Sequence, residues 1–528
     1  MQFGRSTSRN ISGIPPLATS SPSRARRQTL DALVSGGFPY SKKLASHTSC
    51  VNSLAFSSGD GRFLASGGDD LSVKIWDFHD ENVDKPVTSF TGPSGNVFAL
   101  SFSATNRYLL SGGTDDIVLK YDLDHLERGV IAAGPYGPQE SFNEHHDTIR
   151  AVSCHPSQDE VFLSGSENGG ILYHDLRVGR RSSRAQDTLQ LSSEVTSLQF
   201  HPTMDHIFAT SESVGRVCLR DTRMAFGPLT QRTRQGVVQT YNTKITKPSI
   251  NYLSNPEASS LAFDRDGSKL AVTMLHYLPT IYALTDPHPI ATCSGVNLPD
   301  GTPVLPPERT YSNSCTMKHG SFGGPASDRD VMYSAGSDDF RGYIWKIPPA
   351  AELVERRLEV DVDDWNLNNH GDDLVGFAQG LWESRHVPVQ LSTPLCRLSG
   401  HISIVNSTIF HPNFLHVLSA GIENHILLHS PTPSSPCTEN LDRTSIQVRP
   451  LSDDEDGDRQ SYWRAVTGIP IGEDENEDSR TLRIFDHLLR QEADGDVFSM
   501  RHWTRAGDWS SDEDSEMPGH SSDDETFY

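Results

Sequence analysis

A unit of about 45 residues recurs along this chain of 528 residues, and the repetition constrains the fold more than any other feature. Each copy holds three strand-like apolar runs separated by short turns, with room for a fourth before the next copy. The Asp residues that end the first four copies are 45, 53 and 46 residues apart. The seven copies occupy Val51–Asp77, Val97–Asp122, Ile149–Asp175, Val195–Asp221, Ser259–Ala283, Cys315–Lys346 and Ile404–Ser430. Such a pattern predicts a series of small antiparallel sheets.

The period and the four strands in each unit predict an all-β fold, a seven-bladed WD-repeat β-propeller over residues 39–435. Insertions interrupt it at about 235–257, 286–313 and 348–394. Loops of this length on a rigid scaffold often carry binding specificity. The alternative is that these insertions are excursions without a function. Because the ring must close without a free strand edge, we expect Pro39–Leu44 to form the outer strand of the last blade.

The segment before the repeats, residues 1–38, is predicted to be a disordered basic arm with a short helix. The stretch SRARRQTLDAL (Ser23–Leu33) ends before two glycines and fits a helix of this length. The alternative is a solvated arm without a helix. Its candidate contact residues are Arg24, Arg26, Arg27, Leu30 and Leu33.

The segment after the repeats, residues 436–528, is predicted to be an acidic and mostly disordered tail. Residues 449–528 carry 22 Asp/Glu against 8 Lys/Arg, so about −14 of the net charge of −24 lies there. One short helix is expected at about 479–491, where Leu482, Phe485, Leu488 and Leu489 share a face. Five serines precede carboxylates and are candidate phosphorylation sites: Ser452, Ser510, Ser511, Ser521 and Ser522.

Composition and missing motifs disfavour several classes of function. The negative charge disfavours direct binding to nucleic acid or anionic membranes, and no apolar run approaches 18 residues. Seven scattered cysteines without a C-x-x-C pair fit a reduced intracellular protein, in the nucleus or the cytoplasm, without a structural zinc. The chain has no Gly-Lys dipeptide, no G-x-S-x-G and no H-E-x-x-H. We therefore predict a protein that is not an enzyme and needs no cofactor or metal.

In the first repeat, four residues have the spacing of the hydrogen-bonded tetrad found in well-formed WD repeats: His47, Ser66, Asp70 and Trp76. Burial of these polar atoms is tolerable only when they satisfy one another. The Trp position is replaced in five other repeats by Tyr121, His174, Arg220, Tyr282 and His429.

The third and fourth repeats both end in Asp-x-Arg, at Asp175/Arg177 and Asp221/Arg223. A planar, permanently charged guanidinium where the chain leaves a sheet suits bidentate capture of a partner's carboxylate or carbonyls. The alternative is that each Arg only pairs with the Asp of its own repeat and steadies a turn.

These two endings resemble the box that marks WD-repeat substrate receptors of cullin-4 RING ubiquitin ligases. Further blocks are similar to the cullin-4-associated factor five subfamily: NSCTMKHGSF (Asn313–Phe322), LSGHISIVNSTIFHPN (Leu398–Asn413), FDHLLRQE (Phe485–Glu492) and DWSSDEDSE (Asp508–Glu516). The box Trp is absent from both copies, since His174 and Arg220 replace it.

The resemblance implies that Asp175/Arg177 and Asp221/Arg223 face the ligase's adaptor, and that the basic segment around Arg24–Leu33 inserts beside it. The function it implies is a non-catalytic receptor that recruits a protein substrate, unknown from the sequence, for ubiquitination. The alternative is a WD-repeat scaffold of another complex, such as one that handles chromatin or histones.

Overall fold

The computed structural model describes residues 22–127, 136–178, 185–324, 329–367, 374–467, 477–492 and 495–498. Over these residues the protein is all-β, with few helices and eight small sheets, most of them four-stranded and antiparallel. This arrangement fits a WD-repeat propeller. Within the described residues, no helix is both long and apolar enough to span a membrane.

The first four sheets each consist of four consecutive strands. Sheet 1 contains Val51–Phe56, Phe63–Gly68, Val73–Asp77 and Thr88–Phe90. Sheet 2 contains Val97–Phe102, Tyr108–Gly113, Val118–Asp122 and Glu140–Phe142. Sheet 3 contains Ile149–Cys154, Val161–Ser166, Gly170–Asp175 and Thr188–Gln190. Sheet 4 contains Val195–Phe200, Ile207–Glu212, Val217–Asp221 and Val237–Tyr241.

The next three sheets recruit strands from distant parts of the chain. Sheet 5 contains Ala258–Phe263, Lys269–Met274, Thr280–Ala283 and Pro289–Cys293, with Val389–Leu391 added in parallel. Sheet 6 contains Gly320–Gly323, Met332–Gly336, Gly342–Lys346 and Cys396–Leu398. Sheet 7 contains Val405–Phe410, Val417–Gly421, His425–Ser430, Tyr40–Ala45 and Asp442–Arg443.

The first strands of the seven sheets contact one another in chain order, and the first strand of sheet 7 contacts that of sheet 1. Apolar clusters fill the spaces between neighbouring sheets. Between sheets 7 and 1, for example, Leu44 and Leu428 pack with Trp76. Each sheet is therefore buried by its neighbours, which explains how repeats with worn signatures still fold.

The strand Tyr40–Ala45 pairs antiparallel with His425–Ser430, placing Leu44 opposite Ile426. This is the pairing expected of Pro39–Leu44, displaced by one residue. The strand Asp442–Arg443 then pairs on its other side, so Tyr40–Ala45 is not the outermost strand of the sheet.

The predicted insertions hold more regular structure than expected. The fourth strands of sheets 4 and 5, Val237–Tyr241 and Pro289–Cys293, lie within the ranges 235–257 and 286–313. A short accessory sheet joins two insertions and contains Ile245–Thr246, Gly376–Phe377, Arg385–Val387 and Leu358–Val360. The sequence did not predict this sheet.

Seven α-helices lie in the described residues: α1 Pro22–Ser35, α2 Asp124–Glu127, α3 Thr222–Ala225, α4 Ala350–Arg356, α5 Val362–Leu367, α6 Glu455–Thr467 and α7 Glu477–Glu492. Helix α1 covers the helix predicted in the basic arm, and its Val34 is only 1% exposed, packed with Phe38 and Phe410. The helix is followed by Gly37, whose φ of +73° and approach to Cys396 leave no room for a side chain.

Helix α7 spans the range predicted at 479–491, and its Leu489 is buried against Cys50, Phe340, Ile404 and Ile422. The prediction of a mostly disordered tail does not hold for residues 436–467, which include a buried Cys437, the strand Asp442–Arg443 and helix α6. The acidic run that opens α6 is not solvated throughout, because Asp458 is buried and paired with Arg490. Residues 1–21 and 499–528, for which disorder was also predicted, lie outside the described residues.

Candidate protein interface

The tetrad of the first repeat is joined by hydrogen bonds that cross sheet 1. The His47 ring lies 2.9 Å by Nδ1 from Asp70 Oδ2 and 2.8 Å by Nε2 from Ser66 Oγ. Trp76 Nε1 donates to the same Ser66 Oγ at 3.0 Å. Burial acts to raise the pKa of Asp70, but the hydrogen bond and charge of His47 lower it well below its usual range. The four residues are a structural clamp.

Other repeats keep a bonded polar cluster although the Trp is lost. In sheet 3, Ser164 Oγ lies between His145 Nε2 at 2.7 Å and His174 Nε2 at 2.9 Å. In sheet 4, the buried Arg220 donates from Nε to Thr210 Oγ1 at 2.9 Å. His174 and Arg220 therefore find partners, which keeps their burial tolerable.

Among the described residues, His401, Glu423 and His425 bring potential metal-ligand atoms within 4.8 Å of one another. Two of them already bond directly, since His401 Nδ1 lies 2.5 Å from Glu423 Oε2. His401 Nε2 lies 2.8 Å from Ser419 Oγ, so Glu423 takes the part that Asp70 has in sheet 1. The arrangement is that of a tetrad in which the carboxylate bonds His401, while His425 Nε2 lies 3.6 Å from Glu423 Oε1.

Arg177 follows the third strand of sheet 3, on a short 3₁₀ turn at Leu176–Val178. Its guanidinium donates two hydrogen bonds to Asp175 of the same repeat, from Nε to Oδ1 at 2.8 Å and from Nη2 to Oδ2 at 2.7 Å. The backbone N–H of Arg177 also donates to Asp175 Oδ1 at 3.1 Å. The hydrogen bond from Arg177 is the main reason that the pKa of Asp175 is lowered.

Arg223 repeats this geometry in sheet 4. Asp221 is the N-cap of helix α3 and accepts from the backbone N–H of Arg223 at 2.8 Å. The Arg223 side chain then returns to Asp221, with Nε at 3.1 Å from Oδ1 and Nη2 at 2.6 Å from Oδ2. As in sheet 3, the hydrogen bond from this Arg lowers the pKa of Asp221.

The pairing within each repeat does not bury the guanidinium. The side chain of Arg177 is 55% exposed and that of Arg223 is 66% exposed. Each Asp holds one edge of its Arg in a fixed orientation, and the rest of the group stays accessible. Pairing with the Asp of the same repeat is therefore compatible with capture of a partner's carboxylate or carbonyl. A side chain oriented in advance loses less conformational freedom on binding.

The two arginines lie on one side of the sheets, which we call the Asp-x-Arg side. Because strands alternate in direction, the turns between first and second strands lie there too. Helix α1 packs on the same side, where its Val34 contacts the beginning or end of strands in sheets 6 and 7 through Met332 and Phe410. Helix α7 packs near the opposite ends of the strands, at residues such as Cys50 and Ile422.

The structure places the candidate residues of the arm in helix α1. Leu33 is exposed and Leu30 is half-buried. Arg24, Arg26 and Arg27 belong to the helix by their backbone, and their side chains lie outside the described residues.

Sequence reasoning missed three further residues near the paired arginines. Val178 follows Arg177 directly and Leu229 lies in the loop after helix α3, and both expose large apolar side chains. Arg232 donates to the carbonyl oxygens of Thr188, Gly227 and Ala185 and so joins the loop of sheet 4 to sheet 3. An exposed apolar residue or a carbonyl-bonding Arg in a loop has no signal in the repeat pattern.

Of the candidate phosphorylation sites, the structure describes Ser452, which precedes α6. Its backbone N–H donates to Asp486 Oδ2 at 3.1 Å, and its carbonyl oxygen accepts from Arg490. Ser510, Ser511, Ser521 and Ser522 lie outside the described residues.

Comparison with known proteins bears on this arrangement. The profile of the WD domain, G-beta repeat family matches residues 39–77 and 84–122. These two stretches are WD40 repeats. The chain is 28% identical over 491 residues to DDB1- and CUL4-associated factor 5 of Mus musculus and, to the same extent, of Homo sapiens. The match covers 90% of this chain but 42% of each of those two proteins.

A shorter stretch of this chain is similar to WD repeat protein iqw1 of Schizosaccharomyces pombe, at 33% identity over 144 residues. That match covers 27% of this chain and 17% of the yeast protein. The resemblance to the cullin-4-associated factor five subfamily thus extends over nearly the whole chain, whereas the yeast similarity is local.

Proposed function

We propose that this chain is a non-catalytic substrate receptor of a cullin-4 RING ubiquitin ligase and binds the ligase's adaptor through its Asp-x-Arg side. The observation that carries the proposal is the repeated geometry of Arg177 and Arg223. Each is anchored by an Asp of its own repeat and each leaves more than half of its side chain exposed. A carboxylate or carbonyl of the adaptor is the complementary partner.

Helix α1 supports the proposal because it packs on the same side as the two arginines and exposes Leu33 there. The similarity to a protein named for association with DDB1 and CUL4 supports the identity of the partner. Arg24, Arg26 and Arg27 would extend the contact from α1.

The remaining parts of the chain have proposed roles within this function. Residues 39–435 form one closed seven-bladed propeller without a catalytic site. The protein acts inside the cell, in the nucleus or the cytoplasm, without a cofactor, and the tail is a substrate for an acidic-directed kinase. The recruited protein is a further partner.

Co-purification tests the proposal at the level of the cell. The tagged chain expressed in cells is expected to capture the cullin-4 adaptor and cullin-4 in amounts visible by quantitative mass spectrometry. Capture of histones or chromatin proteins without the adaptor would instead support the scaffold alternative and refute the receptor.

A further inference from the structure

A short segment after helix α7 lies in a pocket on the side of the sheets opposite the two arginines. Phe498 is only 8% exposed and packs against Ile245 and Phe377, which are fully buried. Ile245 follows the fourth strand of sheet 4, and Phe377 belongs to the accessory sheet. The pocket therefore lies where two insertions meet, away from the Asp-x-Arg side.

The backbone of the segment is held as well as its ring. Tyr252 Oη donates to the carbonyl oxygen of Phe498, and Ser254 Oγ donates to the carbonyl oxygen of Val497 at 2.5 Å. Lys247 Nζ lies 4.4 Å from the centroid of the Phe498 ring, in position for a cation–π contact. These three pocket residues come from one insertion, between the fourth strand of sheet 4 and the first strand of sheet 5.

The segment brings its own turn. Asp496 Oδ1 accepts a hydrogen bond from the backbone N–H of Phe498 at 3.1 Å, which folds Asp-Val-Phe into a compact unit. The unit thus presents one aromatic ring and two consecutive carbonyls to the pocket.

The pocket does not depend on the segment for its walls. Ile245–Thr246 pairs with Gly376–Phe377, and the Tyr277 ring packs edge-on to Phe377 at 6.0 Å between centroids. A preformed apolar pocket with a few directed polar groups is the usual form of a ligand site. The few contacts of a tethered four-residue unit suffice in cis because the tether raises its effective concentration to the millimolar range or so.

We propose that this pocket is a binding site for short peptides of a partner protein that present Asp, an aliphatic residue and Phe in a turn. The chain's own residues 495–498 occupy the site in cis, and a partner peptide takes it when they leave. That the partner is the protein recruited for ubiquitination rests on the proposed function; the peptide site itself does not.

Fluorescence polarisation tests the site, with a labelled peptide that has the sequence of residues 492–501 as the probe. In the full chain, Phe498→Ala empties the pocket, so we expect this variant to bind the probe at least tenfold more tightly than the unaltered chain. A probe in which Ala replaces its Phe is expected to lose binding. Adding Tyr252→Phe to Phe498→Ala removes the donor to the carbonyl and is expected to weaken probe binding about threefold to tenfold.

Equal binding of the probe by the unaltered chain and by Phe498→Ala, or of the probe with and without its Phe, would overturn the proposal. If Phe498→Ala lowers the melting temperature, a chain that ends at Gly495 replaces it and must meet the same criterion. Adding Arg177→Ala and Arg223→Ala to Phe498→Ala should leave probe binding unchanged, while adaptor binding weakens about a hundredfold. Failure of the peptide site and failure of the receptor function therefore give different results.

Discussion

At the scale of single residues, the imidazole that replaces the tetrad Trp in sheet 7 makes the fold sensitive to acid. His429 is fully buried and lies 2.8 Å by Nε2 from Ser419 Oγ. Burial, with a smaller contribution from His401, lowers the pKa of His429 to about 3. As the pH falls, His429 is therefore protonated in the unfolded chain before it is protonated in the folded one. The contribution of the neutral His429 to the unfolding free energy is lost between about pH 6.5 and pH 3.

We expect His429→Trp to reduce the loss of unfolding free energy between pH 7 and pH 5 by on the order of 1–2 kcal/mol. The replacement restores the residue found at Trp76 and removes the titrating group. Urea unfolding at both pH values measures the difference, which is independent of any overall change in stability. The exposed His146, changed to Gln, is the control, and an unaltered pH dependence in His429→Trp would contradict the prediction.

The hydroxyl that His47 and Trp76 share in the first tetrad gives a second prediction. Ser66 is fully buried and its Oγ bonds both His47 and Trp76. Ser66→Ala leaves two buried groups without this partner, so we expect a loss of about 2–4 kcal/mol in unfolding free energy. Thermal and urea unfolding measure it; a loss below about 0.5 kcal/mol would show that the tetrad is not a clamp.

At the scale of elements, helix α7 is part of the folded protein. Leu489 packs against Cys50, Ile404 and Ile422, which precede or follow strands of sheets 1 and 7. We expect Leu489→Ala to lower the unfolding free energy by about 2–4 kcal/mol. Val466 on α6 is 60% exposed, and Val466→Ala is the matched control. Similar, small effects of both substitutions would mean that α7 is not part of the core.

The elements that sequence reasoning found are those with a local signal. Strand-like runs bounded by turn residues predicted the strands of repeats such as Val51–Asp77. Leucines spaced along one helical face predicted α7. The accessory sheet was not predicted, because its strands Ile245–Thr246 and Gly376–Phe377 are too short to show a periodic pattern and lie far apart in the chain. Helix α6 was not predicted, because an acidic run in the sequence does not show that one of its carboxylates pairs with an Arg of another helix.

The residues of the candidate interface could be predicted only in part from the sequence, for a similar reason. The repeat placed Arg177 and Arg223 at equivalent positions, and the structure keeps them equivalent. Whether each would pair with its own Asp or project to a partner depends on side-chain geometry that spacing does not encode. In the structure each Arg pairs with its own Asp and leaves more than half of its side chain exposed. Val178 and Leu229 are exposed apolar residues that no motif marks.

At the scale of the whole molecule, the two ends of the repeat region meet in sheet 7. Leu44 is fully buried opposite Ile426, in the cluster that joins sheets 7 and 1. We expect Leu44→Ala to cost about 2–4 kcal/mol of unfolding free energy. The adjacent exposed Lys43, changed to Ala, should cost little, as urea unfolding would show. Equal effects would contradict a closing role for this strand.

The most direct test of the receptor function is calorimetric titration of the purified cullin-4 adaptor onto the full chain. The Arg177→Ala/Arg223→Ala variant removes both charged forks, and we expect it to bind about a hundredfold more weakly with an unchanged melting temperature. Arg62→Ala is the control, because Arg62, just before the second strand of sheet 1, donates to Asp77, the counterpart of Asp175, through Nε at 3.0 Å and Nη2 at 2.7 Å. Its affinity should stay within about twofold of the unaltered chain. Undiminished adaptor binding by the double variant would contradict the receptor function.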